Sequence, residues 1–134
     1  MKKGFFGNVE KEVKENTDFA RVLYTGERSQ LVLMSLLPGE EIGLEVHRAN
    51  DQFFRFESGK GKVILNDTEY QVGDGDVVIV PMGSAHNVVN TSESEPLKLY
   101  TVYSPAHHKD GSVHPTHAHA ETEEVEFDGI TTES

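Results

Sequence analysis

The chain has no cysteine among its 134 residues, so disulfides, thiolate ligands and a cysteine nucleophile are all excluded. Basic residues are scarce: 12 Lys and Arg stand against 23 Asp and Glu, a formal net charge of −11. That balance argues against nucleic acid or an anionic membrane as a partner. No apolar run approaches the length that spans a bilayer. Met1-Lys2-Lys3 is basic, but the apolar segment of a signal peptide does not follow it. A cytoplasmic protein is expected. No long segment keeps a helical period, which a parallel βαβ plan would need, and no repeat of solenoid length is present. A chain of this length makes one domain and buries a core without staples.

The body of the chain is a series of short apolar runs separated by turn residues. Residues 1–18 form a head in which charge dominates from Val9 to Glu15, enough for a helical turn that Asn16-Thr17-Asp18 ends. Strands are expected at Arg21 to Tyr24, Leu31 to Leu37, Glu41 to His47, Gln52 to Glu57, Lys62 to Leu65, Glu69 to Val72, Val77 to Val80, Ala85 to Asn90 and Leu97 to Tyr103. Asn66-Asp67 reads as a tight hairpin. Many short strands with Gly, Pro and Asn turns between them predict an all-β sandwich or barrel over residues 19–105. Residues 106–120 form a closing segment. Residues 121–134, with Glu121, Glu123, Glu124, Glu126, Asp128 and Glu133, are expected as a solvated acidic tail.

Two elements hold the chemistry. In GDVVIVPMGSAHNVVN, the residues Gly75, Pro81, Gly83, His86 and Asn90 stand in a fixed frame. Background residue usage produces that set in one window on the order of once in a few million times, so it reads as a motif rather than as composition. Upstream, PGEEIGLEVHRANDQFFRFESGKG places Glu45 and His47 two apart, on one face of a strand, with Val46 on the other. A carboxylate turned into an apolar cavity is very costly unless a cation compensates it. Gln52 begins the next strand on the face it shares with Phe54 and Phe56, within reach of His47. His86 follows the rigid Pro81-x-Gly83 turn, which can aim it at the same point.

Taken singly, a Glu-x-His pair is ordinarily an exposed strand face, and a histidine after a turn is ordinarily structural. Taken together, Glu45, His47 and His86 make a two-His-one-carboxylate set, with the Gln52 amide oxygen as a fourth and weaker ligand. Such a set suits Fe(II), and Mn(II), Ni(II) or Zn(II) can also bind. One divalent ion per chain is expected. Phe53, Phe54 and Phe56 read as core or cavity wall.

Both elements resemble the two motifs of the cupin superfamily, G-x5-H-x-H-x3,4-E-x6-G and G-x5-P-x-G-x2-H-x3-N. The second is matched in full from Gly75 to Asn90, the first as Gly39, Glu45, His47, Gln52 and Gly59. Glu45 stands where the first histidine is usual and Gln52 where glutamate is usual, so the carboxylate and a neutral ligand have changed places. The likeness runs from about Asn16 to Thr116. ENTDFARVLYTGERSQLVLMSLLPGEEIG and PLKLYTVYSPAHHKDGSVH in particular look like small single-domain cupins of the mannose-6-phosphate-isomerase-like group. The resemblance implies a double-stranded β-helix, an RmlC-like jelly-roll barrel with the metal at one mouth. It also implies a homodimer. The basic grip of a phosphosugar enzyme has no counterpart in this sequence.

Five of the seven histidines, His107, His108, His114, His117 and His119, follow the last expected strand. HPTHAHAE reads as a loosely ordered arm or an adventitious metal binder, while His108 and His114 are expected to pack over the barrel. Tyr100, Tyr103 and His114 are the candidate proton carriers. The function expected is metal-dependent chemistry on a small oxygen-rich molecule, a sugar derivative or an enol, by a dioxygenase or an isomerase or lyase route. The alternative is a non-catalytic cupin module that binds a small ligand in the same cavity.

Overall fold

Alternating burial builds two facing antiparallel sheets. The computed structural model describes residues 1–134. After α1 (Val9–Glu15) come β1 (Ala20–Thr25), β2 (Gln30–Leu36), β3 (Glu45–Val46), β4 (Asp51–Ser58) and β5 (Lys60–Leu65). They are followed by β6 (Thr68–Gly73), β7 (Val77–Val80), β8 (Ala85–Asn90), β9 (Leu97–Ser104), β10 (Val113–His114) and α2 (His117–Glu123). One sheet has the order β10-β1-β2-β9-β4-β7 and the other β3-β8-β5-β6. Every pairing is antiparallel. On β4 the residues Gln52, Phe54 and Phe56 are buried, and on β9 Leu97, Leu99, Thr101 and Tyr103 are buried, with the residues between them turned outward. With Leu36, Val63 and Val88 these inward side chains form a continuous core between the sheets.

The nine expected strands are present, most with ends shifted by a residue or two. The stretch from Glu41 to His47 is the exception, because regular pairing survives only at Glu45–Val46. Gly43 has φ +106° and gives its N–H to the Asn87 side chain, so the ladder is interrupted there. Asn66 takes the left-handed conformation (φ 53°) at the β5–β6 hairpin, as its sequence suggested.

The C-terminal third differs more. The arm expected to be loose is ordered: His114 pairs with Ala20 in β10, and α2 follows, with Thr116 accepting from the His119 N–H as its cap. The segment expected as a solvated tail is mostly exposed but tied down along its length. The Lys109 N–H donates to Val125 O, Phe127 N–H to His107 O and Thr132 N–H to Thr25 O. At its end Glu133 accepts from the Lys3 and Gly4 amides and from the Tyr24 hydroxyl. Acidic composition therefore marked solvent exposure correctly but not freedom, because these hydrogen bonds use backbone and need no apolar face. Neither helix is long and apolar enough to cross a membrane.

Candidate metal centre

Strand β3 sets Glu45 directly opposite His86 of β8. The two-residue period puts His47 on the same side as Glu45, and Val46 faces out. Ligand atoms of Glu45, His47 and His86 all lie within 4.8 Å of one another. His47 Nε2 is 3.6 Å from Glu45 Oε2, and the rings of His47 and His86 are 5.3 Å apart. Both histidines are buried, at 8% and 2% exposure, and neither Nε2 has a hydrogen-bond partner. Buried polar nitrogens are ordinarily paired, so two unpartnered ones grouped with one carboxylate fit a bound cation.

Local structure holds these rings. His86 Nδ1 is 3.0 Å from Ser84 O, so Nδ1 carries the proton and donates to the carbonyl. The lone pair is thereby left on Nε2, the arrangement usual for a metal-binding imidazole. Gly83 has φ +85° and open space where a Cβ would stand, so its requirement is conformational rather than spatial. Its N–H donates to His47 O (2.8 Å), and the Met82 N–H donates to the Asp51 carboxylate (2.9 Å). The Pro81–Ser84 turn thus joins the two sequence motifs physically.

Gln52 is 2% exposed on the opposite sheet. Its Nε2 donates to Thr101 Oγ1 (3.0 Å), and its Oε1 has no partner. The amide oxygen is therefore available as a neutral ligand. Tyr103 is buried and meets the His47 ring edge-on at 5.5 Å. Burial, then the Glu45 and Glu124 charges, push its phenol well above the ordinary range, so it stays an O–H donor. Tyr100 lies on the outward face of β9 against Phe53 and does not reach the cavity. His114 is buried on β10 beside the same mouth, 2.9 Å from His119 by its Nδ1.

Two histidines of the C-terminal tract come to this mouth, where the sequence alone gave them no ligand role. His107 meets His47 edge-on with ring centres 4.4 Å apart, and His108 lies beside Tyr103 at 5.2 Å. A cavity of about 360 Å³ is lined by Glu45, Val46, His47, His107, Glu124 and Glu126. The available signal was position: adjacent histidines follow directly on the last barrel strand, whose inward residues already pointed to the site.

Electrostatics fit a cation. Burial pushes Glu45 up to about 7, with His107 opposing and Glu124 reinforcing the rise. Burial, reinforced by the neighbouring His107 and His86 imidazoles, brings His47 down to about 4. Burial also lowers His86, against the Ser84 hydrogen bond. Both rings are thus neutral imidazoles at neutral pH, and of the three groups Glu45 alone would hold a proton for a metal to displace. Metal affinity should rise about tenfold per pH unit just below pH 7, where Glu45 titrates, and level off above it. An exposed two-His site would lose two protons per metal below about pH 6.5 and give twice that slope. Titration with Mn(II) or Zn(II) between pH 5.5 and 8 distinguishes the two profiles.

Two antiparallel sheets closed around an inward Glu–His–His cluster are the architecture of a cupin. The chain belongs to that family: the Cupin_2 model of the cupin domain matches residues 32–103. It is 43% identical over 124 residues to the uncharacterized protein YrkC of Bacillus subtilis, covering 88% of this chain and 66% of that protein. It is 40% identical over 109 residues to the uncharacterized protein L612 of Acanthamoeba polyphaga mimivirus, covering 79% and 68%. The chain thus spans about two thirds of the length of these relatives. The crystal structure of BH2720 from Bacillus halodurans is 42% identical, with TM-score 0.87 over 89% of this chain and 94% of that one. An RmlC-like cupin from Shewanella frigidimarina shares the fold alone, at 22% identity and TM-score 0.60 over 65% and 75%.

Proposed function

We propose that the chain is a metal-dependent enzyme acting on a small oxygen-rich molecule, a sugar derivative or an enol. One divalent ion would be held by Glu45, His47 and His86, with Gln52 as the fourth ligand. The observation that carries this reading is the pair of buried, unpartnered Nε2 atoms facing the Glu45 carboxylate. A bound ion would supply Lewis acidity and open coordination positions, the chemistry of a dioxygenase or of an isomerase or lyase.

The chain's own residues supply the rest. A cavity of about 310 Å³ runs from Glu45 and Tyr103 past Phe19, Met34 and Ile42 to α2, of a size for a small molecule. Tyr103 Oη keeps its proton there and can donate it to a ligand oxygen. His114 borders the same space and is lowered by burial and by His119, so it is neutral and able to accept a proton. The apolar wall excludes water from one side of the ligand.

A cytoplasmic homodimer without nucleic-acid or membrane partners is part of the proposal. The net charge of −11 supports the last point. The edge strand β7 exposes Val77 and Ile79, apolar side chains that a second copy would cover.

The test is turnover by anaerobically Fe(II)-loaded protein against a panel of small sugars and diketones. Substrate-dependent dioxygen uptake is expected for a dioxygenase. A rearranged or cleaved product without uptake is expected for an isomerase or lyase. Ligand-induced stabilisation with no product under Fe, Mn, Ni or Zn would overturn the enzyme reading and leave a binding module.

A further inference from the structure

We propose that the cupin mouth holds a second divalent-cation site, built by the C-terminal segment from His107 Nε2, His108 Nδ1 and Glu124 Oε1. The three ligand atoms lie within 4.8 Å of one another. Glu124 Oε1 is 3.2 Å from His107 Nε2 and 3.4 Å from His108 Nδ1. None of these residues belongs to either sequence motif, and the set is distinct from Glu45, His47 and His86.

His108 supplies the independent observation. It is 8% exposed, and its Nδ1 makes no hydrogen bond despite facing the carboxylate. A buried imidazole nitrogen left unpaired is destabilising. The surrounding structure nevertheless fixes it there. Gln30, buried on β2, accepts from the His107 and His108 N–H groups through Oε1 (3.1 and 3.0 Å). Its Nε2 donates to His108 O (2.8 Å) and to Thr25 Oγ1 (2.9 Å). Asn50 donates to the carbonyls of Pro105 and Ala106 from the other side. Glu124 itself lies between the end of α2 at Glu123 and the Val125 and Phe127 backbone bonds to Lys109 and His107. A loop clamped by two buried amide side chains and by the backbone of the segment after Glu124 is a preorganised ligand frame, which is what metal sites require.

Two imidazoles and one carboxylate suit Zn(II), Ni(II), Mn(II) or Fe(II). The site opens on the cavity shared with Glu45 and His47, and its His107 ring touches His47. A ligand with two oxygen functions can therefore span both positions. The trio supplies its own donors and does not require the first site to bind.

The experiment is equilibrium dialysis of the metal-stripped, untagged full chain against Zn(II), with metal per chain measured by elemental analysis. The same is done for His108→Ala, Glu124→Gln and His86→Ala, each checked for fold by circular dichroism. Two ions per chain are expected in the wild type, and one each in His108→Ala and Glu124→Gln. His86→Ala should also hold one, which adding Glu124→Gln removes. If the wild type binds one ion and His108→Ala and Glu124→Gln still bind it, the trio is only an ion-pair clasp and the inference fails. One ion lost in His108→Ala but kept in His86→Ala would instead uphold this site and overturn the motif site. Glu124→Gln keeps the size of the side chain, so its loss of an ion cannot be assigned to unfolding.

Discussion

Replacing His86 by alanine is expected to abolish tight metal binding at the motif site while leaving the barrel folded. Changes to groups that merely orient metal ligands cost about 10- to 100-fold in affinity, so loss of a ligand itself should exceed about 100-fold. His47→Ala should behave alike, because both rings present an unpartnered Nε2 to Glu45. Gln52→Ala should weaken binding less, since an uncharged amide oxygen contributes less than an imidazole.

Thermal stability supplies the control. Ligand present at 100 times its dissociation constant stabilises a folded protein by about 2.7 kcal/mol. The wild type should gain on that order when metal is added, and His86→Ala should gain nothing from this site. In the absence of metal the variant also sheds a buried unpaired nitrogen, which offsets part of the packing lost beside Phe54. If the ring were only a core residue, His86→Ala would lose the same stability with and without metal.

A chain ending at Ala120 is expected to fold but to lose the order of the mouth. Truncation removes Glu124 and the backbone partners of Lys109, His107 and Thr25. The Lys109 amide, which donates to Val125, should then exchange with solvent at least about tenfold faster by hydrogen exchange. Residues 3 and 4 should be loosened as well, because Glu133 accepts from the Lys3 and Gly4 amides. A freely solvated tail would leave all these signals unchanged. Glu45 and His86 sit on paired barrel strands and His47 directly follows β3, so the motif site should survive the cut.

These two experiments divide what the sequence could and could not reveal. The barrel was legible because its strands bury every second residue, as β4 and β9 do, and that period is written in residue type. Glu45, His47 and His86 were legible because their spacing, with Pro81 and Gly83, is constrained by one turn. Gln52 was legible as a buried amide, and the structure leaves its oxygen free. Tyr100 and Tyr103 could not be separated without the strand's register, which turns one outward and the other in.

The C-terminal segment was not legible for a different reason. Its contacts are backbone hydrogen bonds and single side chains meeting partners far away in the chain, as Thr132 meets Thr25. Such contacts have no period and bury little apolar surface. Glu124 looks like any other acidic residue until the chain around it is folded. Gln30 carries no hint in the sequence that it will hold the backbone of two histidines.

The hydrogen bond from the Gly83 amide to the His47 carbonyl gives the motif site a kinetic character. The His47 backbone is fastened to the turn that aims His86, so the two backbones move together. An ion held there as proposed would have a residence time that tracks opening of that corner rather than the exchange of individual donor atoms.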